Sequence, residues 1–390
     1  MKTAVMFGGG NIGRGFIGAA LADAGYRVIF ADINGELIKK INELGSYTVH
    51  IMDVKCNTHK VKGVSCVNST SQDVVNEITD ADLVTTAVGL LTLPYIADAV
   101  AKGIKARQAA GCKNTMNIIA CENAIRASSQ LKKAVYDKLD KKSTAYADKY
   151  IGFPDCTVDR IVPPMKINKA RPLDVAVENY YEWCVEGTGF KGEIPNVPAM
   201  HIVDNVMAYL ERKLFTLNTG HCIAAYLGVI KGYETIDQAV NDEYIYNVVK
   251  GAMIESGNGL IAKHGFAQES HLSYIETCLD RFRNPYLRDE LFRVGRQPYR
   301  KLAATDRLVG PLLNARKYGL STDNLIKGIA AGLHYNHEGD SQSQEMQQKI
   351  RHNGVLKTAI ELTGIEDKRI LTQIVKKYSI IKENLNCNKE

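Results

Sequence analysis

A glycine-rich turn near the start of the chain limits what the first part of the protein can fold into. Lys2 to Phe7 is an apolar run typical of a buried strand, and Gly8, Gly10 and Gly13 follow at the G-x-G-x-x-G spacing before a helical stretch from Arg14 to Ala24. In such a unit, glycine serves a tight turn, a close approach to a pyrophosphate, and close packing of helix on strand. The helix N-terminus attracts the phosphates. The pattern predicts a Rossmann-type dinucleotide-binding domain.

A second strand and an acidic residue follow this turn. The apolar run Arg27 to Ala31 ends at Asp32, where a carboxylate can accept hydrogen bonds from the adenine-side ribose. A carboxylate repels a 2′-phosphate, and no arginine follows Asp32 directly, so the sequence favours NAD over NADP. The alternative interpretation is a glycine-rich turn that binds no ligand.

Length and composition indicate an ordinary globular protein of two domains. The chain has 390 residues, of which 45% are hydrophobic, enough for a sizeable core. Its first residues lack the apolar stretch of a signal peptide, and no apolar run is long enough to span a membrane, so we expect a cytoplasmic protein. The nine cysteines show no C-x-x-C spacing. We therefore expect reduced thiols and no metal site.

The first domain shows the alternation of strand and helix patterns that a parallel sheet requires. Leu83 to Ala87 and Asn117 to Ala120 read as further buried strands. Shorter segments between Tyr47 and Val67 predict a small antiparallel elaboration, and Asp174 to Val185 alternates like late strands.

Two prolines mark the predicted domain boundary. Pro195 and Pro198 interrupt the chain, and helical periodicity dominates beyond them. We expect an α/β fold, with a Rossmann-type NAD-binding domain over residues 1–192 and a mostly α-helical substrate and catalytic domain over 193–390. The predicted helices, the first of which should end at Gly228, lie near 202–228, 236–263, 267–281, 300–317, 322–335, 342–361 and 366–385.

Two segments follow strands of the predicted sheet, where ligands bind in such folds. Thr85 to Gly89 contains small residues that could let the backbone approach a cofactor, or it could be a plain turn. Cys121-Glu122-Asn123 follows the next strand, and Asn123 could either contact a ligand or cap the following helix. The residues predicted to contact the cofactor are Phe7, Gly8, Gly9, Gly10, Asn11, Ile12, Gly13, Asp32, Thr86, Ala87 and Val88.

The first helix beyond the boundary carries polar groups on its apolar side. At about 100° per residue, His221 falls in the middle of the apolar stripe, and Lys213 and Asn218 fall on its two edges. Burying a charged lysine costs free energy unless the lysine is neutral or paired. The pattern therefore suggests that these polar groups line a functional site. The alternative is a buried histidine beside a lysine that extends to solvent. The stripe comprises Val203, Val206, Met207, Leu210, Leu214 and Leu217.

Basic residues concentrate in the segment 281–307, although the whole chain carries a net charge of only +6. Such clusters are usually solvated, and without a recognition-helix pattern we expect no nucleic acid. Arg283 and Arg296 adjoin prolines, outside regular helix, and are candidates for binding an anionic group such as phosphate. The segment holds eight basic residues (Arg281, Arg283, Arg288, Arg293, Arg296, Arg300, Lys301 and Arg307) and three acids (Asp289, Glu290 and Asp306).

Several motifs together resemble the polyol-specific long-chain dehydrogenases and reductases. The resemblance covers nearly the whole chain, and its details are most similar to members that act on a phosphorylated hexitol. It implies NAD-dependent interconversion of mannitol 1-phosphate and fructose 6-phosphate. The motifs are G-G-G-N-I-G-R-G (Gly8 to Gly15), C-E-N (Cys121 to Asn123), K-L-F-T-L-N-T-G-H (Lys213 to His221), Val158 to Pro164, Arg281 to Pro285 and Val294 to Pro298.

The resemblance also implies roles for single residues. Lys213 would be the general acid/base, with Asn218 and His221 beside it on the helix and Asn123 as a second holder of the oxyanion, all without a metal. Some relatives carry an acid three positions before the lysine; here that position is Leu210, and we do not transfer its role to the neighbouring Glu211.

The sequence is also compatible with other functions. An unphosphorylated hexitol or a hexuronate would need the same chemistry, and a non-catalytic NAD sensor would need the glycine turn and Asp32 but no lysine on the apolar stripe. We expect a small polyol or sugar phosphate as the partner, no nucleic acid or membrane, and a monomer or weak homo-oligomer.

Overall fold

The protein forms two compact units, Met1–Tyr209 and Leu210–Glu390. The structure is a computed structural model that describes residues 1–53, 57–163 and 171–387. Pro164, the last residue of one motif noted above, lies outside the described residues, as do residues 54–56 of the predicted antiparallel segment.

The first unit is built on a six-stranded parallel sheet of order β5-β2-β1-β6-β7-β8. From β1 the chain moves to one side through β2 and β5, then returns to the other side through β6, so the strand order reverses between β1 and β6. The strands are β1 (Thr3–Phe7), β2 (Arg27–Asp32), β3 (Ser46–Met52), β4 (Asn57–Lys62), β5 (Val64–Asn68), β6 (Leu83–Thr86), β7 (Met116–Ala120), β8 (Ile151–Gly152), β9 (Cys156–Asp159), β10 (Val175–Glu178), β11 (Glu182–Glu186) and β12 (Met200–Val203).

Helices cover this sheet, and β1 and β7 are buried at every residue, as a sheet with two covered faces requires. The Rossmann-type fold predicted for the first domain is confirmed. The helices of the first unit are α1 (Gly18–Asp23), α2 (Gly35–Leu44), α3 (Gln72–Asp80), α4 (Leu93–Ala109), α5 (Ala127–Tyr136) and α6 (Lys141–Tyr150).

Two three-stranded sheets complete the first unit, in the orders β10-β3-β4 and β12-β11-β9. Strands β3 and β4 are antiparallel, as predicted, but β5 leaves that hairpin and runs parallel to β2. The change of direction occurs at Gly63, which has a left-handed φ of +71°. The prediction that the whole stretch to Val67 is antiparallel was therefore wrong at its last strand.

The division between the units falls later than the 192/193 boundary predicted from the prolines. After Pro195 and Pro198 the chain forms β12, which pairs in parallel with β11, from Trp183 opposite Met200 to Glu186 opposite Val203. This pairing keeps the segment with the first unit.

The second unit is helical, as predicted, with no helix among the described residues long and apolar enough to cross a membrane. Helix α7 (Val206–Arg212) begins in the first unit and ends in the second. The helices that follow are α8 (Asn218–Lys231), α9 (Ile236–Asn241), α10 (Glu243–His264), α11 (Gln268–Phe282), α12 (Leu291–Gly295), α13 (Pro298–Lys301), α14 (Val309–Lys317), α15 (Asp323–His334), α16 (Ser341–Thr363) and α17 (Lys368–Cys387).

The predicted helices near 202–228, 236–263 and 300–317 differ from those observed, the last being divided into α13 and α14. Helix α8 continues past Gly228 and ends at Gly232, whose φ of +80° forms a left-handed cap. Gly228 instead allows close packing, since a Cβ there would lie 2.7 Å from a methyl of Leu291. The segment predicted as one helix near 236–263 is divided at Asp242, whose carboxylate accepts a hydrogen bond from the Ile245 amide and so starts α10.

The glycines of the turn after β1 have unequal surroundings. Gly8 has a φ of +93°, and a Cβ on it would lie 2.5 Å from the Ala87 carbonyl oxygen. A Cβ on Gly13 would lie 1.9 Å from the Gly8 carbonyl oxygen, whereas a Cβ on Gly10 would meet no atom within 4 Å. Gly13 is thus required by packing, and Gly10 leaves open space at the turn.

We predict that Gly13→Ala destabilises the first unit by about 1–3 kcal/mol or more, because the added Cβ would overlap the backbone carbonyl of Gly8, which cannot move aside as a flexible side chain can. Gly10→Ala, the matched control, should change stability by less than about 0.5 kcal/mol. Urea unfolding followed by fluorescence of Trp183, the chain's one tryptophan, measures both. Equal unfolding midpoints for the two variants would contradict the packing role of Gly13.

Candidate active site

Asp32 connects the end of β2 to the glycine turn. Its Oδ2 accepts a hydrogen bond from the Gly9 amide at 2.8 Å, and its Oδ1 accepts one from the Asn34 amide at 2.9 Å. The side chain was predicted to bind a ribose, and here its described partners are backbone amides. A carboxylate has about four acceptor positions, so these two bonds orient the group and leave capacity for further donors.

Glu122 joins the two segments that follow β6 and β7. One carboxylate oxygen accepts hydrogen bonds from the Thr86 hydroxyl at 2.7 Å and the Val88 amide at 2.9 Å, and the other accepts the Gly89 amide at 2.8 Å. The side chain is buried. The sequence pattern drew attention to Asn123 and missed Glu122. A carboxylate directly after a buried strand was the available signal.

The predicted cofactor residues divide into buried and accessible groups. Phe7 is fully buried in the core, and its carbonyl accepts a hydrogen bond from the Ala87 amide at 2.8 Å. Thr86 is also fully buried and bound to Glu122. Neither side chain is accessible to a ligand in this structure. The exposed members are Gly10 and Asn11, the half-buried ones are Ile12, Asp32, Ala87 and Val88, and Gly8, Gly9 and Gly13 are buried.

Asn123 is exposed and does not cap the next helix. Helix α5 starts at Ala127, and its N-cap is Arg126, which makes no side-chain capping bond and has a left-handed φ of +49°. The helix-cap alternative for Asn123 is therefore excluded.

Lys213 begins a π turn in the helix that carries the predicted catalytic residues. The turn spans Lys213–Leu217 between α7 and α8, and the Asn218 amide donates to the Lys213 carbonyl, five residues back. Such turns insert one extra residue into an α-helix and are frequent at functional sites. The sequence pattern assumed a regular helix and missed this turn.

The π turn changes which side chains share a face. In a regular helix Asn218 and His221 would lie about 140° and about 80° around the axis from Lys213. The extra residue subtracts about 100° from both offsets, leaving about 40° and about −20°. Lys213, Asn218 and His221, all half-buried, therefore project from one narrow face of the helix. The sequence predicted that Lys213 and Asn218 lie on the two edges of the apolar stripe with His221 between them. With the π turn, the three residues instead form a single row along the helix.

His221 has a buried carboxylate partner. Its Nε2 lies 2.8 Å from Oδ2 of Asp289, and its ring stacks on Phe282 with centroids 5.0 Å apart. The other carboxylate oxygen of Asp289 accepts a hydrogen bond from Nε of Arg293 at 2.9 Å. Burial raises the pKa of Asp289, but His221 and Arg293 outweigh it and hold that pKa below its usual value. Asp289 was not identified from sequence.

Glu211 faces a different set of partners. Its carboxylate accepts from Lys263 Nζ and lies 2.7 Å from both that atom and His264 Nε2. Burial raises the pKa of Glu211, and these two neighbours more than compensate, so the pKa is lowered. These contacts tie α7 to the end of α10.

The basic segment 281–307 packs along α8. Phe282 and Asp289 contact His221, the Tyr226 hydroxyl donates to the Gly295 carbonyl, and the Thr219 hydroxyl donates to the Arg307 carbonyl. The segment that carries the candidate phosphate ligands thus lies against the helix that carries Lys213.

The basic residues of this segment differ in burial and in their partners. Lys301 is buried, which lowers its pKa to about 8, and it donates to the Arg296 carbonyl. Arg307 pairs with Asp306 at 2.7 Å. Arg283 is exposed and its guanidinium lies 4.3 Å from the centre of the Tyr246 ring, and Arg296 is exposed at the end of α12.

Backbone strain occurs beside the candidate residues. Among the described residues, three that are not glycine have a left-handed φ: Arg126, Arg288 and Gln297. Arg126 lies three residues after Asn123, Arg288 precedes Asp289, and Gln297 follows Arg296. Such strain is retained where surrounding structure enforces it, often at functional sites. No group of His, Cys, Asp and Glu side chains in the described part of the chain could hold a metal ion.

We predict that Asp289→Asn destabilises the second unit by about 1–3 kcal/mol near pH 7, because His221 and Arg293 lose their charged partner. The parent pKa is lowered by folding, so this stabilisation is present above about pH 4 and is lost as the pH falls through the folded-state pKa. The difference between parent and variant should therefore shrink in acid. Asp280→Asn, at an exposed site on α11, is the control.

Urea unfolding followed by far-UV circular dichroism between pH 3 and pH 7 would measure this difference, at values chosen around the usual carboxyl pKa of about 4. A destabilisation that stays constant over the whole range would show that the Asp289 charge contributes nothing.

Both units match known families and solved structures. The mannitol dehydrogenase Rossmann domain matches residues 2–199, and the mannitol dehydrogenase C-terminal domain matches residues 205–390. A substrate-free D-sorbitol dehydrogenase is similar with a TM-score of 0.83 and 16% identity, over 98% of this chain and 93% of that one. Pseudomonas fluorescens mannitol 2-dehydrogenase, solved as a ternary complex with NAD and D-mannitol, has a TM-score of 0.73 and 16% identity, over 98% of this chain and 92% of that one. Because the two family matches cover nearly the whole sequence, the chain belongs to the mannitol dehydrogenase family of oxidoreductases.

Proposed function

We propose that the protein is an NAD-dependent mannitol-1-phosphate 5-dehydrogenase, which interconverts mannitol 1-phosphate and fructose 6-phosphate. The observation that carries the proposal is the π turn, which aligns Lys213, Asn218 and His221 on one helix face. Oxidation of a secondary alcohol needs a base for the hydroxyl proton and hydrogen-bond donors for the alkoxide. A lysine, an amide and an imidazole in one row could supply both. Membership of an oxidoreductase family argues against the sensor alternative.

The first unit has the features that NAD needs. The open space around Gly10 would admit a pyrophosphate, and the Asp32 carboxylate, oriented by two amides, would accept a ribose hydroxyl. A carboxylate at this position disfavours a 2′-phosphate, which supports NAD over NADP. When bound, NAD supplies the acceptor for the hydride.

The residues of the helix face would handle the proton. A neutral Lys213 accepts the proton of the substrate hydroxyl, and the resulting ammonium stabilises the alkoxide. The amide of Asn218 would donate an N–H to the same oxygen, and from the resemblance we assign Asn123 the role of a second oxyanion donor. His221, held by Asp289 and stacked on Phe282, has its orientation set before substrate binds.

The phosphate assignment rests on Arg283 and Arg296. Both are exposed, and both lie at helix ends in a segment packed against α8. The backbone at Arg296 is held on either side: its amide donates to the Phe292 carbonyl, and in the peptide that follows, Lys301 donates to the Arg296 carbonyl and the Gln297 amide donates to Asp340 at 2.6 Å. A guanidinium on such a rigid support suits bidentate binding of a phosphate.

An unphosphorylated hexitol is the second candidate substrate. It is favoured by the internal use of much of the basic segment, since Arg293 and Arg307 pair with acids and Lys301 is buried. Fewer cations are then left for a phosphate than the sequence count suggests.

We predict that Lys213→Ala binds NAD normally but lowers turnover of mannitol 1-phosphate by roughly 10²- to 10⁴-fold, the usual effect of losing a positioned acid/base. Absorbance at 340 nm measures the reaction, with NADP as the comparison cofactor. Lys231→Ala, which removes an exposed lysine from the same helix, is the control. A chelator should change nothing. Near-normal turnover in Lys213→Ala would remove the catalytic assignment.

We predict that Arg296→Ala and Arg283→Ala each lower kcat/KM for mannitol 1-phosphate by roughly 10- to 150-fold, corresponding to about 1.5–3 kcal/mol per charged hydrogen bond. Mannitol should be little affected, because it makes no such contact. Arg300→Ala, at another exposed position of the segment, is the control. Equal losses on both polyols would assign the arginines to folding, and a parent enzyme that prefers mannitol would favour the second candidate.

A further inference from the structure

The π turn at Lys213 is held by a hydroxyl from another helix. Adding one residue to a helical turn disturbs the pairing of its carbonyls, and a buried carbonyl needs a donor. The carbonyl of Phe215, inside the turn, accepts a hydrogen bond from the hydroxyl of Ser256 on α10. Ser256 is fully buried.

Close packing of the two helices lets this short side chain reach the turn. A Cβ on Gly220 of α8 would lie 2.5 Å from the sulfur of Met253, one turn before Ser256 on α10. Larger residues at the contact would separate the helices, and a serine could then no longer span the gap.

The π turn of the first unit is held in the same way. That turn spans Gly13–Ile17, and the hydroxyl of Tyr47 on β3 donates to the carbonyl of Arg14, at 2.7 Å. Tyr47 is buried, and burial raises the pKa of its hydroxyl, which keeps the donor protonated. In both units a buried hydroxyl from outside the helix therefore binds a carbonyl inside the π turn.

We propose that Ser256 is a positioning residue for the reaction, which acts by holding the π turn that aligns Lys213 with Asn218 and His221. This rests on the proposed function. Ser256 does not touch the reacting groups; its hydroxyl fixes the helix register on which they depend. Without that hydrogen bond, the turn can relax toward a regular helix, in which Lys213 rotates about 100° relative to the residues that follow.

Four variants distinguish the effect of the Ser256 hydroxyl from the effect of side-chain size. Ser256→Ala and Ser256→Val remove the hydroxyl, whereas Ser256→Thr keeps it and matches the shape of the valine variant. Ser343→Ala, which removes a fully buried hydroxyl that donates to carbonyls near the start of α16, is the control. We expect Ser256→Ala and Ser256→Val to lose kcat by roughly 10- to 100-fold with little change in KM. Ser256→Thr and Ser343→Ala should resemble the parent.

A second measurement does not depend on the substrate. Pyridoxal 5′-phosphate and borohydride label accessible lysines, and peptide mapping gives the ratio of labelling at Lys213 to labelling at Lys231 on the same helix. This ratio should change in Ser256→Ala and Ser256→Val and stay at the parent value in Ser256→Thr.

The outcomes distinguish the two proposals. Effects that follow side-chain size, with Ser256→Thr and Ser256→Val alike and Ser256→Ala like the parent, would overturn the positioning role. An unchanged labelling ratio in all variants would do the same. If the parent oxidises no polyol, the proposed function fails, and the labelling ratio alone decides the role of Ser256.

Discussion

One inserted residue in a helix determines the geometry of the second unit. The π turn at Lys213–Leu217 rotates α8 by about 100° relative to α7, and this rotation brings three polar side chains into one row. Helix α8 packs against α9, α10, α12 and α15, so its orientation also sets where those helices meet it. The extra residue disturbs the hydrogen bonds of the helix at this turn. A neighbouring helix compensates, because Ser256 of α10 donates to the Phe215 carbonyl inside the turn.

The first unit also contains a π turn, and glycine allows it to pack closely. Its π turn follows the glycine-rich turn directly, and Gly13 lets the helix approach β1 so closely that a Cβ would overlap the Gly8 carbonyl oxygen. Arg14 is buried, and its guanidinium donates to the carbonyls of Gly9 and Leu173. Burial lowers the pKa of Arg14, and the carbonyl partners satisfy its donors in place of water. The turn is thus rigid before any ligand arrives.

Two buried carboxylates, Glu122 and Asp289, each bind several polar groups. Glu122 receives three donors from the last residue of β6 and the segment after it, and Asp289 lies between His221 and Arg293. In each case one carboxylate joins segments far apart in sequence. Removing such a group would leave several polar partners unpaired, which costs more than the bonds themselves contribute. In the basic segment, Arg293 pairs with Asp289 although it is exposed, whereas Arg283 and Arg296 are exposed at helix ends.

The sequence by itself determined what depends on local pattern. Glycine spacing and an acid after the second strand predicted the Rossmann-type unit, and helical periodicity predicted the second unit, because both follow from neighbouring residues. Only the tertiary structure decided that β5 joins the main sheet, that β12 stays with the first unit, and that the helix bearing Lys213 contains a π turn. Each of these depends on a partner distant in sequence. The donor to the π turn, Ser256, lies 41 residues beyond the carbonyl it binds, and no local pattern encodes that contact.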